Sequence, residues 1–288
     1  MIKYKLVLLD MDGTMLNEDK KIPKENIEVI KALREMGIIV VLASGKPYDN
    51  LEMYSNMCGA GPYVIGSNGA IIRDIEKNED IFAKKVEKKY ALKVLEKAKK
   101  YGFWIMVNIG GRLITEEEKY GLTNANRSEI SVVSDIKEYL ETSKKDEPIL
   151  KITYLHEDKE KLELLREELS DIEEVSVKKV GKATFAKLEN ETDNYPYYLD
   201  IMDLNITKAE AVETLRKKLN IDKSETIAIG DGLNDLEMLQ SVGFAVAMGN
   251  AEPEVKAIAH MITASNDDVG VAKALTELFL EKKEILQK

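Results

Sequence analysis

Short apolar runs that stop at a polar turn and hand over to segments of helical period are the feature that most narrows what this chain can fold into. That alternation builds a parallel sheet flanked by helices, because a crossover to a parallel neighbour needs a dozen or more residues and a helix supplies them. The runs Leu6–Leu9, Ile38–Ala43 and Tyr63–Ile65 predict strands, with helices near 24–36 and 48–57 between them. The same rhythm returns late, with Tyr198–Met202, a helix over 208–219, Thr226–Ile229, a helix over 233–240, Phe244–Val246, a short helix near 253–259, Met261–Thr263 and a final helix from Val269. The two ends therefore read as one α/β layer.

Between them the texture changes. A Lys/Glu-rich helix at 87–100, aromatic-bearing strands at Phe103–Ile109 and Leu150–Leu155, a charged helix at 157–169 and strands near 175–180 and 184–188 predict a smaller α+β insertion, large enough to be a domain. Its joints are placed near 80–85 and 193–197, where Asn/Asp residues and Asp193-Asn194-Tyr195-Pro196 supply turn chemistry. The expected division is a core of 1–82 and 196–288 and an insertion of 83–195.

The charge balance, 42 Lys+Arg against 52 Asp+Glu and a net −10, argues against a nucleic-acid partner, whose phosphates need clustered cations. Cys58 is the single cysteine, so neither an intrachain disulfide nor a cysteine zinc site is expected. His156 and His260 are too far apart in sequence to suggest a histidine metal site. The opening MIKYKLVLLDMDG has lysines inside its apolar stretch, unlike a signal peptide, and no run reaches the ~18 apolar residues of a membrane span. A cytoplasmic protein without a membrane partner is expected.

The first run ends in Asp10-Met11-Asp12-Gly13-Thr14. Residues i and i+2 of a strand share a face, so two carboxylates arrive together at a C-terminal sheet edge, where open α/β sheets bind ligands. Ile229-Gly230-Asp231-Gly232-Leu233-Asn234-Asp235 closes a second run with two more carboxylates, and such an oxygen-rich cluster suits a hard cation such as Mg²⁺. Helix capping by Asn234 or Asp235 would explain part of that string. Thr207-Lys208-Ala209-Glu210 has the form of a capping box, which puts Lys208 at a first helical position, a place the helix dipole makes unfavourable for a cation without an anion nearby. Ser44-Gly45-Lys46 follows the second strand, and its hydroxyl and backbone N–H groups suit phosphate oxygens.

These pieces, in this order, resemble the haloacid dehalogenase-like phosphohydrolases, and the layout resembles their Cof-type subfamily. The match runs through DMDGT at 10–14, Ser44-Gly45, Lys208, GDGLND at 230–235, Ala247-Met248-Gly249-Asn250-Ala251 and Asn266-Asp267-Asp268. The resemblance implies a Rossmann-like core with an α/β cap inserted between the second and third motifs. It implies that Asp10 attacks phosphorus to form an aspartyl-phosphate and that Asp12 protonates the leaving oxygen and then activates water. It further implies Mg²⁺ held by Asp10, the Asp12 carbonyl and Asp231 with Asp235 in support. Phosphoryl oxygens would be bound by Ser44, Gly45, Lys208 and Asn234, and substrate would face Asn68 and Gly69, although an Asn-Gly hairpin turn explains that last pair equally well.

The expected reaction is Mg²⁺-dependent hydrolysis of small phosphorylated metabolites, sugar phosphates foremost. The alternatives are a phosphomutase of the same superfamily and a non-catalytic phosphorylatable regulatory module. Lys46 stands where the family usually has Arg, replacing a planar fork by a point charge. Trp104, Tyr120, Phe185 and Tyr195 are candidates for substrate selection by location only, since an aromatic at strand spacing is more often core. The insertion is expected to close over substrate as a mobile cap.

Overall fold

Four consecutive buried apolar residues make β1 (Leu6–Leu9) a strand that belongs inside a sheet covered on both faces. A computed structural model, which describes residues 3–120, 130–143, 147–183 and 195–281, continues it with α1 (Lys24–Glu35), β2 (Ile39–Ala43), α2 (Tyr48–Cys58) and β3 (Tyr63–Gly66). Each lies within a residue of its predicted span. The chain then turns through Ser67-Asn68-Gly69 into β4 (Ile71–Asp74), which pairs antiparallel with β3, and reaches β5 (Glu79–Ala83) at the sheet edge.

The next stretch has a core of its own. It contains α3 (Lys88–Ala98), β6 (Trp104–Ile109), β7 (Arg112–Thr115), β8 (Ile130–Val132), α4 (Ile136–Thr142), β9 (Ile149–His156), α5 (Lys159–Glu168), β10 (Val175–Val177), β11 (Gly181–Lys182) and β12 (Tyr197–Asp203). Its sheet runs β10-β12-β9-β6-β7-β8, with β11 also on β12, and all but the β7/β8 pair are antiparallel. One face buries Ile105, Val107, Ile152 and Leu199 against helix residues Val94, Leu162 and Leu165. On the other, Trp104 and Tyr120 meet edge to face at 5.8 Å and pack with Met106, Leu113 and Leu155, so these two aromatics are core.

From Thr207 the chain rejoins the first sheet through α6 (Lys208–Lys218), β13 (Thr226–Gly230), α7 (Leu236–Ser241), β14 (Phe244–Ala247), α8 (Pro253–Ile258), β15 (Met261–Ile262) and α9 (Gly270–Leu275). The completed order is β15-β14-β13-β1-β2-β3-β4-β5, parallel from β15 to β3. This is a Rossmann-like parallel sheet with an inserted α+β unit. By contacts the chain divides into Met1–Phe82 with Thr207–Lys288, and Ala83–Ile206.

One strand was assigned to the wrong sheet by its sequence. Tyr198–Met202, expected in the parallel layer, lies in β12 and pairs antiparallel with β9, Tyr198 opposite Leu155 and Ile201 opposite Ile152. The insertion therefore runs on to Ile206 instead of stopping at 195. An apolar run closed by Asp looks the same in either sheet, and only its partners decide where it goes. The predicted strand at 184–188, Phe185, and the Asp193-Asn194 part of the joint lie outside the described residues.

Candidate active site

Every catalytic, phosphate-binding and metal-binding residue expected from the sequence, and the Asn68-Gly69 pair, belongs to the unit formed by Met1–Phe82 and Thr207–Lys288. Asp10 follows β1 and Asp231 follows β13, two hydrogen-bonded neighbours, so the two carboxylates emerge side by side at the same sheet edge. Asp235 comes from the single 3₁₀ turn Leu233–Asp235 just before α7, not from a continuous helix as predicted. One oxygen from each of Asp10, Asp231 and Asp235 can be chosen so that all three lie within 4.8 Å of one another.

Lys208 resolves the apparent misfit of a cation at a helix start. Thr207 caps α6 by accepting the Glu210 N–H at 3.1 Å, and the Lys208 side chain then turns into the cluster. Its Nζ donates to Asp10 Oδ1 at 2.5 Å and to Asp235 Oδ1 at 2.6 Å, and the residue is only 2% exposed. Burial alone would lower the ammonium pKa, but the two carboxylates outweigh it and hold Lys208 above the ordinary lysine value. Burial, with the Asp235 charge beside it, raises Asp10 well above the usual carboxylate range despite the lysine. Asp231 is pushed up to about 6, chiefly by burial and in part by Asp235, against the hydrogen bond it accepts from Thr14 Oγ1 at 2.7 Å.

The carboxylates divide into two kinds. Asp235 is already engaged, with Oδ1 on Lys208 and Oδ2 accepting the N–H groups of Asp231 and Gly232 at 3.2 and 3.1 Å. Asp10 and Asp231 are each held through Oδ1, and among the described residues no hydrogen bond falls on their Oδ2 atoms. Three carboxylates against one ammonium leave −3 + 1 = −2 when all are ionised. An oxygen-only, doubly deficient, largely buried cluster fits a hard divalent cation such as Mg²⁺.

Asp12 stands apart from the cluster. Its half-exposed carboxylate forms an ion pair with Lys46 Nζ at 2.6 Å, so the residue that replaces the family's Arg reaches the proposed acid/base. Ser44 is buried, with its amide donating to Ile65 and its hydroxyl accepting the Lys46 N–H at 3.4 Å. The Ser67 and Asn68 amides donate to the carbonyls of Lys46 and Ser44, which ties the Asn-Gly turn to this loop. Gly69, at φ +102°, lies against the Thr207 carbonyl so closely that a Cβ would stand 2.3 Å from it, linking the turn to α6. Gly45 is packed on the Asn68 side chain, whereas Asn234 is exposed and makes no bond to the cluster. The Asn68-Gly69 pair thus satisfies the turn requirement and sits beside the site as well.

Two features had no role assigned from the sequence: Thr14, which holds Asp231, and the Lys46–Asp12 pair. Thr14 was visible as the last letter of DMDGT. The Lys46 contact depends on how two loops meet and leaves no sequence signal.

The description haloacid dehalogenase-like hydrolase matches residues 7–275, nearly the whole described core and the insertion together. The chain belongs to this family. Within it, a Streptococcus pyogenes serotype M6 protein with the word phosphatase in its name is 31% identical over 289 residues, covering 97% of this chain and 100% of that one. The Bacillus subtilis protein named 5-amino-6-(5-phospho-D-ribitylamino)uracil phosphatase YitU is 26% identical over 283 residues, covering 95% and 97%. A crystal structure of a haloacid dehalogenase-like hydrolase from Bacteroides thetaiotaomicron superimposes with a TM-score of 0.80 at 30% identity, covering 96% of this chain and 100% of that one. The Cof-type phosphohydrolase expectation stands, and the chain is a phosphatase by family. No helix among the described residues is long and apolar enough to cross a membrane.

Proposed function

We propose that this protein is a cytoplasmic, Mg²⁺-dependent phosphatase of small phosphorylated metabolites, with sugar phosphates the expected class, acting through an aspartyl-phosphate. The observation that carries the reading is Lys208, buried and bonded to Asp10 and Asp235 at once, beside Asp231. A cation so placed is already oriented toward an anionic reacting group, and such pre-set charge is the main stabilisation available to phosphoryl transfer.

Asp10 and Asp231, each with an oxygen unengaged, would hold Mg²⁺, with the Asp12 carbonyl as the third protein group and Asp235 as a brace for Lys208 and the 231–232 amides. Bound there, the ion would shield the approach of one anion to another. Asp10 forms a bond to phosphorus as the bond from phosphorus to the leaving oxygen breaks, and Asp12 gives that oxygen its proton. Water then attacks the phosphorus, Asp12 takes back a proton, and the Asp10 carboxylate and inorganic phosphate are released. Lys46 holds the Asp12 carboxylate at 2.6 Å while it is ionised and orients it for the second step.

None of these residues lies in Ala83–Ile206, and the choice among substrates is the role we assign to that unit. The ribitylamino relative's substrate, a phosphate on a polyhydroxylated chain, is compatible with the sugar-phosphate class. Turnover of p-nitrophenyl phosphate, assayed with Mg²⁺, after EDTA, and after Mg²⁺ is restored, tests the chemistry. A screen of phosphorylated metabolites tests the class. Full activity in rigorously metal-free buffer would remove the Mg²⁺ part of the proposal, and absence of any turnover would remove the rest.

A further inference from the structure

The two downstream motifs, Ala247-Met248-Gly249-Asn250-Ala251 and Asn266-Asp267-Asp268, have no part in the chemistry above, yet both touch the loop that carries it. Between Asp10 and Asn17 the backbone follows neither a helix nor a strand; the amides of Thr14, Met15 and Leu16 serve the carbonyls of Asp10 and Met11 within the loop, and those of Gly13, Met15 and Leu16 take partners from elsewhere. Three asparagine amides, one from α1 and two from separate turns, supply them. Asn250 Nδ2 donates to the Gly13 carbonyl at 2.8 Å, Asn266 Nδ2 to that of Leu16 at 2.9 Å, and Asn26 Nδ2 to that of Met15 at 3.4 Å. The amides also interlock, since Asn250 Oδ1 accepts the Asn266 N–H at 3.0 Å and Asn26 Oδ1 accepts the Ala272 N–H at 3.0 Å.

We propose that Asn250 is a positioning residue for the catalytic loop, fixing the Gly13 carbonyl and through it the placement of Asp12 and of Thr14 on Asp231. The geometry leaves little slack. Gly13 has φ +79°, and a Cβ there would stand 2.3 Å from the Asp231 carboxylate, so the peptide that Asn250 grips is already pressed against the cluster. Asn fits because it both donates and accepts. An aspartate would keep the acceptor for the Asn266 N–H but turn a carboxylate toward the Gly13 carbonyl.

Burial separates positioning from plain structural support. Asn250 is exposed, whereas Asn266 is 4% exposed. Structural support alone ranks Asn266 above Asn250 for every readout, because burial sets the cost of a lost partner. Positioning ranks Asn250 above Asn266 for kcat, because its bond lies beside Asp12.

The role rests on the phosphatase reading, so the test carries one readout that does not depend on turnover. Asn250→Ala, Asn250→Asp and Asn266→Ala would be compared with wild type for p-nitrophenyl phosphate kinetics, melting temperature and amide hydrogen exchange of residues 10–16. The expected result for both Asn250 variants is a kcat lower by about 10–100-fold, with Asp the worse, an unchanged KM and faster exchange confined to 10–16. Asn266→Ala should melt earliest and lose less kcat. Losses of kcat that follow the melting temperatures, or Asn250 variants with wild-type kcat or wild-type exchange, would overturn the assignment. If wild type hydrolyses no phosphate at all but the Asn250 variants still exchange faster over 10–16, the phosphatase reading falls and the loop-holding role stands.

Discussion

The two sheets of this protein handle polar residues in opposite ways. In the parallel sheet, β1, β2, β13 and β14 read LVLL, IVVLA, TIAIG and FAVA, apolar apart from Thr226 at one strand's start, and the charged groups appear only where strands end. In the inserted sheet, polar groups sit within the strands. Thr153 donates to Asp200 Oδ1 at 2.6 Å, Lys151 lies 3.3 Å from Asp200 Oδ2, and Asn108 is buried in β6. A sheet covered on both faces has no room for polar side chains along its strands, so its chemistry collects at one edge. The antiparallel sheet spends comparable groups on structure.

That contrast can be broken most directly at two aspartates. Asp10→Asn should lower turnover on the order of 10⁴-fold or more and abolish labelling by beryllium fluoride, with little change in melting because Lys208 keeps Asp235 and one of three crowded carboxylates is removed. Asp200→Asn should do the reverse, costing about 3 kcal/mol in a urea titration by breaking a buried ion pair, while p-nitrophenyl phosphate turnover per folded molecule is kept. An Asp200 variant that lost turnover without losing stability would show that the inserted sheet also carries chemistry.

Lys208 is where both kinds of cost should coincide. Lys208→Met leaves Asp10 and Asp235 buried without their cation, and a loss of about 3–5 kcal/mol in stability is expected together with a kcat lower by roughly 10²–10³-fold. Paired denaturation and kinetic measurements on the one variant decide it.

A smaller effect separates the sheets by pH. Asp231 is held up at about 6 against an ordinary 3.8, and Asp10 is raised too, both first by burial. A carboxyl raised in the folded state favours the fold below its unfolded value and loses that contribution as pH climbs through about 6. Above that pH Asp231 adds its charge to the cluster, and a cation has more to offset. Mg²⁺ should therefore raise the melting temperature more at pH 8 than at pH 5, and equal gains at both would count against the cluster as its site. The smallest effect is expected at Lys46, whose pair with the half-exposed Asp12 should contribute no more than ~1 kcal/mol to stability. Lys46→Met should leave melting nearly unchanged and show itself in kcat instead.

The same contrast explains what could be read from the sequence. Buried parallel strands announce themselves as unbroken apolar runs, so β1, β2, β3, β13 and β14 were predicted almost to the residue, and the carboxylates at their ends came with them. Lys208 stood out from an ordinary surface lysine because it falls between the two acidic motifs, at a helix start where a cation wants an anion nearby. The inserted unit was harder. Arg112–Thr115, Ile130–Val132 and the short helix Ile136–Thr142 carried too little periodicity to register, and β12 mimicked a core strand because Tyr198-Leu199-Asp200-Ile201-Met202-Asp203 resembles the run that leads into Asp10-Met11-Asp12. The Lys46–Asp12 pair and the asparagine contacts to 13–16 depend on loops meeting in space, and residue spacing does not encode that.

The register of β1 has a consequence for how the molecule comes into being. Leu6 lies opposite Ile39 on one side and opposite Thr226 on the other, so the strand that leads to Asp10 gains its second neighbour only after the whole insertion has been made. On the ribosome the inserted sheet, complete by Asp203, can close first, while the amino-terminal segment waits with one flank of β1 unpaired. Lys208, Asp231 and Asp235 emerge later still. Nascent chains arrested before residue 226 should protect the insertion from protease but leave β1 cleavable. Asp10, the proposed nucleophile, is thus made before the insertion and joined by Lys208, Asp231 and Asp235 after it, and a half-made chain is expected to lack hydrolytic activity.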